Sequence, residues 1–330
     1  MNRIVRLTRV AGLVGLVGCP AANNGKGSVD SNGYVDDTDT GNCSAVVAAF
    51  EPESGTLDFY YHGTVGILFD ADSNDDAASA LIEVWDPTGA AVAATVEWDQ
   101  AKLHATVWPT LAPNTAYTVH VEVCGVTSQS MLTTSALGTP LVDPVSSLLG
   151  RTYVFTLADA DITEPAILEQ FDDALLTAPL LFGVMAADET SITFEGALGD
   201  VDDLSQVEDQ PTWPFPAGDF TAQPYFVASS DRINIKYGDT DIPINDFVLT
   251  GTFAADGLTI QQGHVTGLAD TRNMGPLIGQ SDTPTATCKF VEELGVYCQD
   301  CPDGEEVCLH ITGENITANY VEGLVVTPVE

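Results

Sequence analysis

Apolar residues recur at every second position through most of the chain between Cys43 and Thr134. Val65, Ile67 and Phe69 alternate with smaller or polar neighbours, as do Ile82 and Val84. The pattern returns at Val92, Ala94, Val96 and Trp98, at Leu103, Ala105 and Val107, and at Tyr117, Val119, Val121 and Val123. A period of two turns one side of a strand to a core and the other to water. Turn residues such as Asp86-Pro87-Thr88-Gly89 separate these runs, a spacing that predicts an antiparallel sandwich. Farther on, RTYVFTLAD, SITFEGAL, PYFVASS, RINIKYG, FVLTGTF, LTIQQGHV and TANYVEGLVV also predict strands, with Asp256-Gly257 as a tight turn. One stretch changes period. Ile167, Leu168, Phe171, Leu175 and Leu176 fall at helical spacing, with Thr163 as cap, Pro165 in the first turn and Pro179 as terminator. The expected fold is therefore mainly β: a sandwich over residues 43–136, then a β-rich part over 137–330. That second part is expected to be an antiparallel barrel or sandwich with one helix. Pro140 and Pro144 favour extended chain in the bridge between them.

The amino terminus departs from this pattern. MNRIVRLTR is a short basic region, and VAGLVGLVG is an apolar run of nine residues, where a membrane span needs about 20. Residues 1–18 therefore predict a signal peptide. Its end, Leu16-Val17-Gly18-Cys19, resembles the lipobox of bacterial lipoproteins. The resemblance implies cleavage before Cys19, acyl chains such as palmitate on that residue, and a stable membrane anchor, since more than one chain meets the two-signal requirement. Pro20 follows rather than Asp, which points to the outer membrane of the cell envelope, periplasmic or surface-exposed. Residues 19–42 are rich in Gly, Asn, Ser and Asp and predict a flexible acidic tether.

In the first β-rich part, the order FEPESGT, VGILFDA, IEVWDPTGAAV, KLHATVWPTLAPNTAYTVHVE, SMLTTSA resembles a bacterial Ig-like domain of the S-layer and surface-protein kind. The resemblance implies a sandwich used as a spacer and puts Tyr117 where such folds often place a corner tyrosine; a simple core aromatic explains it equally well. Cys43 and Cys124 bracket the segment, although that family is usually free of disulfides.

Charge narrows the partners. With 48 acidic and 10 basic residues the formal charge is −38, which makes nucleic acid a poor partner. An exported chain meets an oxidising compartment, so its cysteines are expected to pair. Cys43 with Cys124, plus two bridges among Cys288, Cys298, Cys301 and Cys308 in one of three connectivities, uses six of the seven and leaves Cys19 for lipid. One CxxC alone argues against a zinc knuckle. Calcium is a weaker expectation, at the Asp70-x-Asp72-x-Asn74-x-Asp76 run or among Asp30, Asn32, Asp36, Asp37 and Asp39; neither has the closing Glu of an EF-hand. No other cofactor is suggested.

Catalytic motifs of the G-x-S-x-G, H-E-x-x-H and Walker kinds are missing, and the five histidines share no spacing. Asp270 and Arg272 are expected to form a structural ion pair. Trp213, Phe215, Phe220 and Tyr225 lie among Pro211, Pro214, Pro216, Gly218 and Pro224, and form either an aromatic platform for a glycan or envelope protein or a plug for a barrel end. Together these features point to a non-catalytic surface lipoprotein, an Ig-like spacer presenting a β-domain. A hydrolase or an apolar-ligand carrier in the C-terminal part are the alternatives.

Overall fold

The structure, a computed structural model, describes residues 43–71, 74–165, 177–207, 210–237 and 240–329. Cys19, the tether and the helical stripe from Ile167 to Leu176 lie outside the described residues. Thr163, expected as that helix's cap, lies within a short strand, Asp161–Glu164, which pairs antiparallel with Thr312, Gly313 and Glu314.

Eight strands build the sandwich. They are β1 (Val46–Glu51), β2 (Thr56–Phe59), β3 (Val65–Asp70), β4 (Leu81–Trp85), β5 (Ala94–Trp98), β6 (His104–Pro109), β7 (Ala116–Val123) and β8 (Val126–Thr134). One sheet runs β1-β3-β6-β5 and the other β2-β8-β7-β4; only β2 and β8 are parallel. The alternating residues meet as expected: Val65, Ile67, Ala105, Val107, Val119 and Val121 are at most 1% exposed. A short helix, α1 (Asn74–Ala78), fills the gap between β3 and β4. Tyr117 is buried, and its hydroxyl accepts the Ala112 N–H at 2.8 Å, which pins the loop that leads into β7. Cys124 and Gly125, both at positive φ, make the two-residue turn between β7 and β8.

The second part is a closed barrel. Its strands are β9 (Thr152–Phe155), β10 (Asp161–Glu164), β11 (Leu180–Ala187), β12 (Ser191–Leu198), β13 (Trp213–Asp219), β14 (Tyr225–Tyr237), β15 (Thr240–Phe253), β16 (Thr259–Asp270), β17 (Gln299–Asp300) and β18 (Glu306–Tyr320). Eight of them form an antiparallel ring, β9-β11-β12-β13-β14-β15-β16-β18, which closes where Asn319 and Tyr320 of β18 pair with Val154 and Tyr153 of β9. β10 and β17 flank β18 outside that ring. Bulges carrying Asp246, Gln262 and Asn315 at positive φ interrupt the long ladders of β15, β16 and β18, the device that lets long strands curve around a barrel. The excursion between β16 and β17 contains α2 (Ala286–Glu293), a helix the alternation did not predict.

An eight-stranded barrel has an interior about wide enough to be filled by side chains. Tyr153, Phe194, Phe215, Phe220, Phe226 and Phe253 fill it, each with no exposed surface, and Phe194, Phe226 and Phe253 pack as tilted rings at centroid spacings of 5.0 and 5.3 Å. At one end the Tyr153 hydroxyl donates to the Gly257 carbonyl at 2.7 Å, and burial pushes that hydroxyl up to about 12. Arg151 donates to the same carbonyl at 2.6 Å while lying over the Tyr320 ring, so one of the few bases ties three strands at the closure.

Part of the aspartate excess has a structural use. In the β11–β12 turn the Asp188 carboxylate accepts the Thr190 and Ser191 N–H groups at 2.8 Å and both their hydroxyls; these bonds hold its pKa down at about 2. Asp86 with Thr88 and Asp219 with Thr221 repeat the motif. A carboxylate held below its ordinary value adds stability that is present above about pH 4 and lost as pH falls toward 2. Asp188→Ala is expected to lower the melting temperature at pH 7, with the gap to the native protein closing between pH 4 and pH 2. A gap of unchanged size at pH 2 would contradict this role.

Candidate functional site

All six cysteines expected to pair do so. Cys43 bonds Cys124 with Cα atoms 5.4 Å apart, Cys288 bonds Cys298, and Cys301 bonds Cys308, the sequential one of the three connectivities. The first bridge fixes the start of the sandwich to the β7–β8 turn. Cys288–Cys298 ties α2 to the chain just before β17, and Cys301–Cys308 staples the β17 hairpin onto β18. Arg272 closes the same region, forking onto Asp270 at 2.6 Å and reaching Asp303 at 2.8 Å, as a structural ion pair should.

The aromatic platform is not formed. Trp213 and Phe215 alternate along β13 with the outward prolines Pro214 and Pro216, so both rings point into the barrel, 3% and 0% exposed. Phe220 is equally buried, and the Trp213 indole N–H donates to the Asn234 carbonyl at 2.7 Å. Pro214 lies opposite Glu195 of β12, whereas β13 pairs with β14 only at Asp219 and Val227, so on the β14 side no ladder bond is lost at either proline. These residues plug the barrel. Tyr225 is separate from them and stacks on His62 of the sandwich at 4.3 Å.

That contact belongs to a junction between the two parts. The loop after β2 presents Tyr60, Tyr61 and His62, the last two with ring centroids 4.2 Å apart. The Tyr60 hydroxyl is hydrogen-bonded to that of Thr252 on β15 at 2.8 Å, and burial pushes it above the ordinary tyrosine range. Val142 donates to the Ala255 carbonyl, which binds the connecting chain to the same barrel end. Gly138, at φ 99°, sits against the Tyr61 ring, where a Cβ would lie 2.4 Å from a ring carbon. Only glycine fits both that conformation and that contact.

At the far end of β14 and β15 the barrel is less completely filled. A hollow of about 90 Å³ lies among Ile235, Ile244, Val265, Ala269, Met274 and Ile311. Glu164, Pro165 and Leu309 border it and also line an open groove of about 530 Å³ outside, with Tyr297, Gln299 and His310. Glu164 and His310 meet at 2.5 Å, and the Thr312 hydroxyl lies 3.3 Å from the same His310 Nδ1. Sequence reasoning missed this place, because isoleucines near strand ends look like ordinary core. The other histidines are dispersed: His62 at the junction, His104 on β6, His120 stacked on Trp85 at 4.4 Å, and His264 on the wall of β16. Among the described residues no group of three or more His, Cys, Asp or Glu is placed to hold a metal ion. Of the run read for calcium, Asp76 accepts the Ser44 N–H and Asp72 lies outside the described residues.

No protein-family model matches the chain, and no curated protein matches it. Among solved structures, CopC from Methylosinus trichosporium OB3b aligns at 16% identity over 28% of this chain and 94% of its own, with a TM-score of 0.25. A crystal structure of titin domains aligns at 9% identity over 68% of this chain and 60% of its own, TM-score 0.21. Native alpha-2-macroglobulin from Escherichia coli spanning domains MG0-NIE-MG1 aligns at 13% identity over 87% of this chain and 97% of its own, TM-score 0.21. Likenesses this distant bear on neither fold nor function.

If Trp213 and Phe215 are core, truncating either to Ala should cost about 3–5 kcal/mol in denaturant unfolding. An exposed platform would lose less than about 0.5 kcal/mol.

Proposed function

We propose that the protein is a non-catalytic lipoprotein of the cell envelope, anchored through Cys19, whose Ig-like sandwich is a rigid stalk that carries the barrel. The observation that carries this reading is where the chain enters and leaves the sandwich. Cys43 is bonded to the Cys124-Gly125 turn at one pole, and the chain passes to the barrel from Ser135, just past the other end of β8. The nine residues of β8 separate the two points by roughly 30 Å. The disulfide keeps the pull of an anchor on that pole, and the Tyr60–Thr252 and His62–Tyr225 contacts keep the barrel from swinging at the other.

The filled barrel supports a structural or binding role over a hydrolase, because aromatic rings occupy the space a deep polar cleft would need. The dispersed histidines favour the same side. Outer-membrane placement follows from Pro20 after the lipobox-like motif, and a glycan or envelope protein remains the class of partner for the presented end.

Intact mass of the native protein tests the reading. The expected chain starts at Cys19, carries added acyl mass, and shows six thiols only after reduction. Cys19→Ser should abolish the acyl mass and release the protein from membranes. A native chain that retains residues 1–18, or an unmodified Cys19, would overturn the anchor; thiols free before reduction would overturn the stapled architecture.

A further inference from the structure

The hollow at the barrel end away from the sandwich combines an apolar interior with a rim that carries Glu164 and His310. Ile235, Ile244, Val265 and Ile311 point inward from four consecutive members of the ring, β14, β15, β16 and β18, and Met274 covers them from the excursion that bears α2. The space is smaller than the roughly 150 Å³ engineered cavity that stays dry and takes benzene, so it suits the end of one alkyl chain and not a fused ring system. Glu164, Pro165 and Leu309 join it to the outer groove. An apolar pocket with a few polar groups at its edge is the ordinary form of a small-molecule site.

The rim selects the head. Glu164 and His310 are the acidic and basic residues that line the hollow and groove among the described residues; they are bonded to each other at 2.5 Å, within a chain of net charge −38. An anionic head would be repelled by the acidic excess of the chain, whereas a cationic one is drawn to it and meets the Glu164 carboxylate beside His310. Tyr297, 73% exposed beside the same groove, adds a ring face against which an ammonium group can lie.

We infer that this barrel end binds a single-chain amphiphile with a short alkyl tail in the hollow and a cationic head at Glu164. The inference rests on the reading of the barrel as the presented, non-catalytic part, and it gives that part a ligand class.

The full-length protein would be illuminated with a photoreactive diazirine-bearing octylamine, and the labelled peptides mapped. Labelling is expected to saturate, to fall on β15, β16 and β18 around Ile244, Ala269 and Ile311, and to be displaced by plain octylamine. Ala269→Phe, which fills the hollow, should reduce it at least tenfold. Glu164→Gln, at an exposed rim position, should reduce labelling by the amine about threefold or more and leave labelling by the matching alcohol unchanged. The diazirine octanoic acid should label weakly. Adducts spread evenly over the surface, equal labelling by amine and acid, or an unchanged Glu164→Gln variant would each overturn the inference. The acyl mass on Cys19 is read without the probe, so failure here and failure of the anchored-stalk reading are separate results.

Discussion

The ring of eight strands closes over only two residue pairs, Asn319 with Val154 and Tyr320 with Tyr153, and much of the second part follows from that closure. A closed barrel has no exposed ladder edge within its ring and an interior of nearly fixed width. The Tyr153 hydroxyl and the Arg151 guanidinium both converge on the Gly257 carbonyl beside this seam, so the turn after β15 is locked to the strand that closes the ring. Phenylalanine rings then fill the half of the barrel nearer the seam and the sandwich, and the opposite mouth is left to isoleucines, a methionine and the stapled excursion. The two ends of the barrel differ in consequence: one is tied to the sandwich, the other carries the hollow with Glu164 and His310 at its rim.

The sandwich is held at both of its own ends. A disulfide ties its first residue to a two-residue turn, and an aromatic loop docks its other pole onto β14 and β15. With Gly138 bent against Tyr61, the connection between the parts becomes packed chain and not a free hinge. The acidic excess is locally consumed in turns such as Asp188 with Thr190 and in the fork that Arg272 makes with Asp270 and Asp303.

Strand positions were legible wherever period-two alternation met a turn signal, as at Val65–Phe69, Tyr117–Val123 and the segment SITFEGAL. Pairing order was not, because alternation fixes which face is buried and says nothing about the neighbour. Two separate predicted runs, PYFVASS and RINIKYG, proved to be the single strand β14, and Trp213–Asp219 became a strand despite its prolines because most of one side needs no ladder. β11 and α2 were missed: the first has a continuous apolar run without alternation, and the second carries too few apolar residues to show a helical period. With Cys19 set aside for lipid, the six remaining cysteines made three bridges legible, but spacing could not choose among three connectivities. Burial alone distinguishes a core plug from a binding platform, and the sequence around Trp213 was compatible with both.

The central claim is that sandwich and barrel form one stiff body. Spin labels placed through genetically encoded, cysteine-independent residues at exposed Thr127, by the Cys124 turn, and at Glu305, on the far side of the barrel, would report their separation by pulsed electron resonance. A single narrow distance distribution is predicted, which Gly138→Ala broadens by forcing the connecting chain off the Tyr61 ring. A broad distribution in the native protein would mean that the barrel swings on its connection, and the stalk account would be wrong.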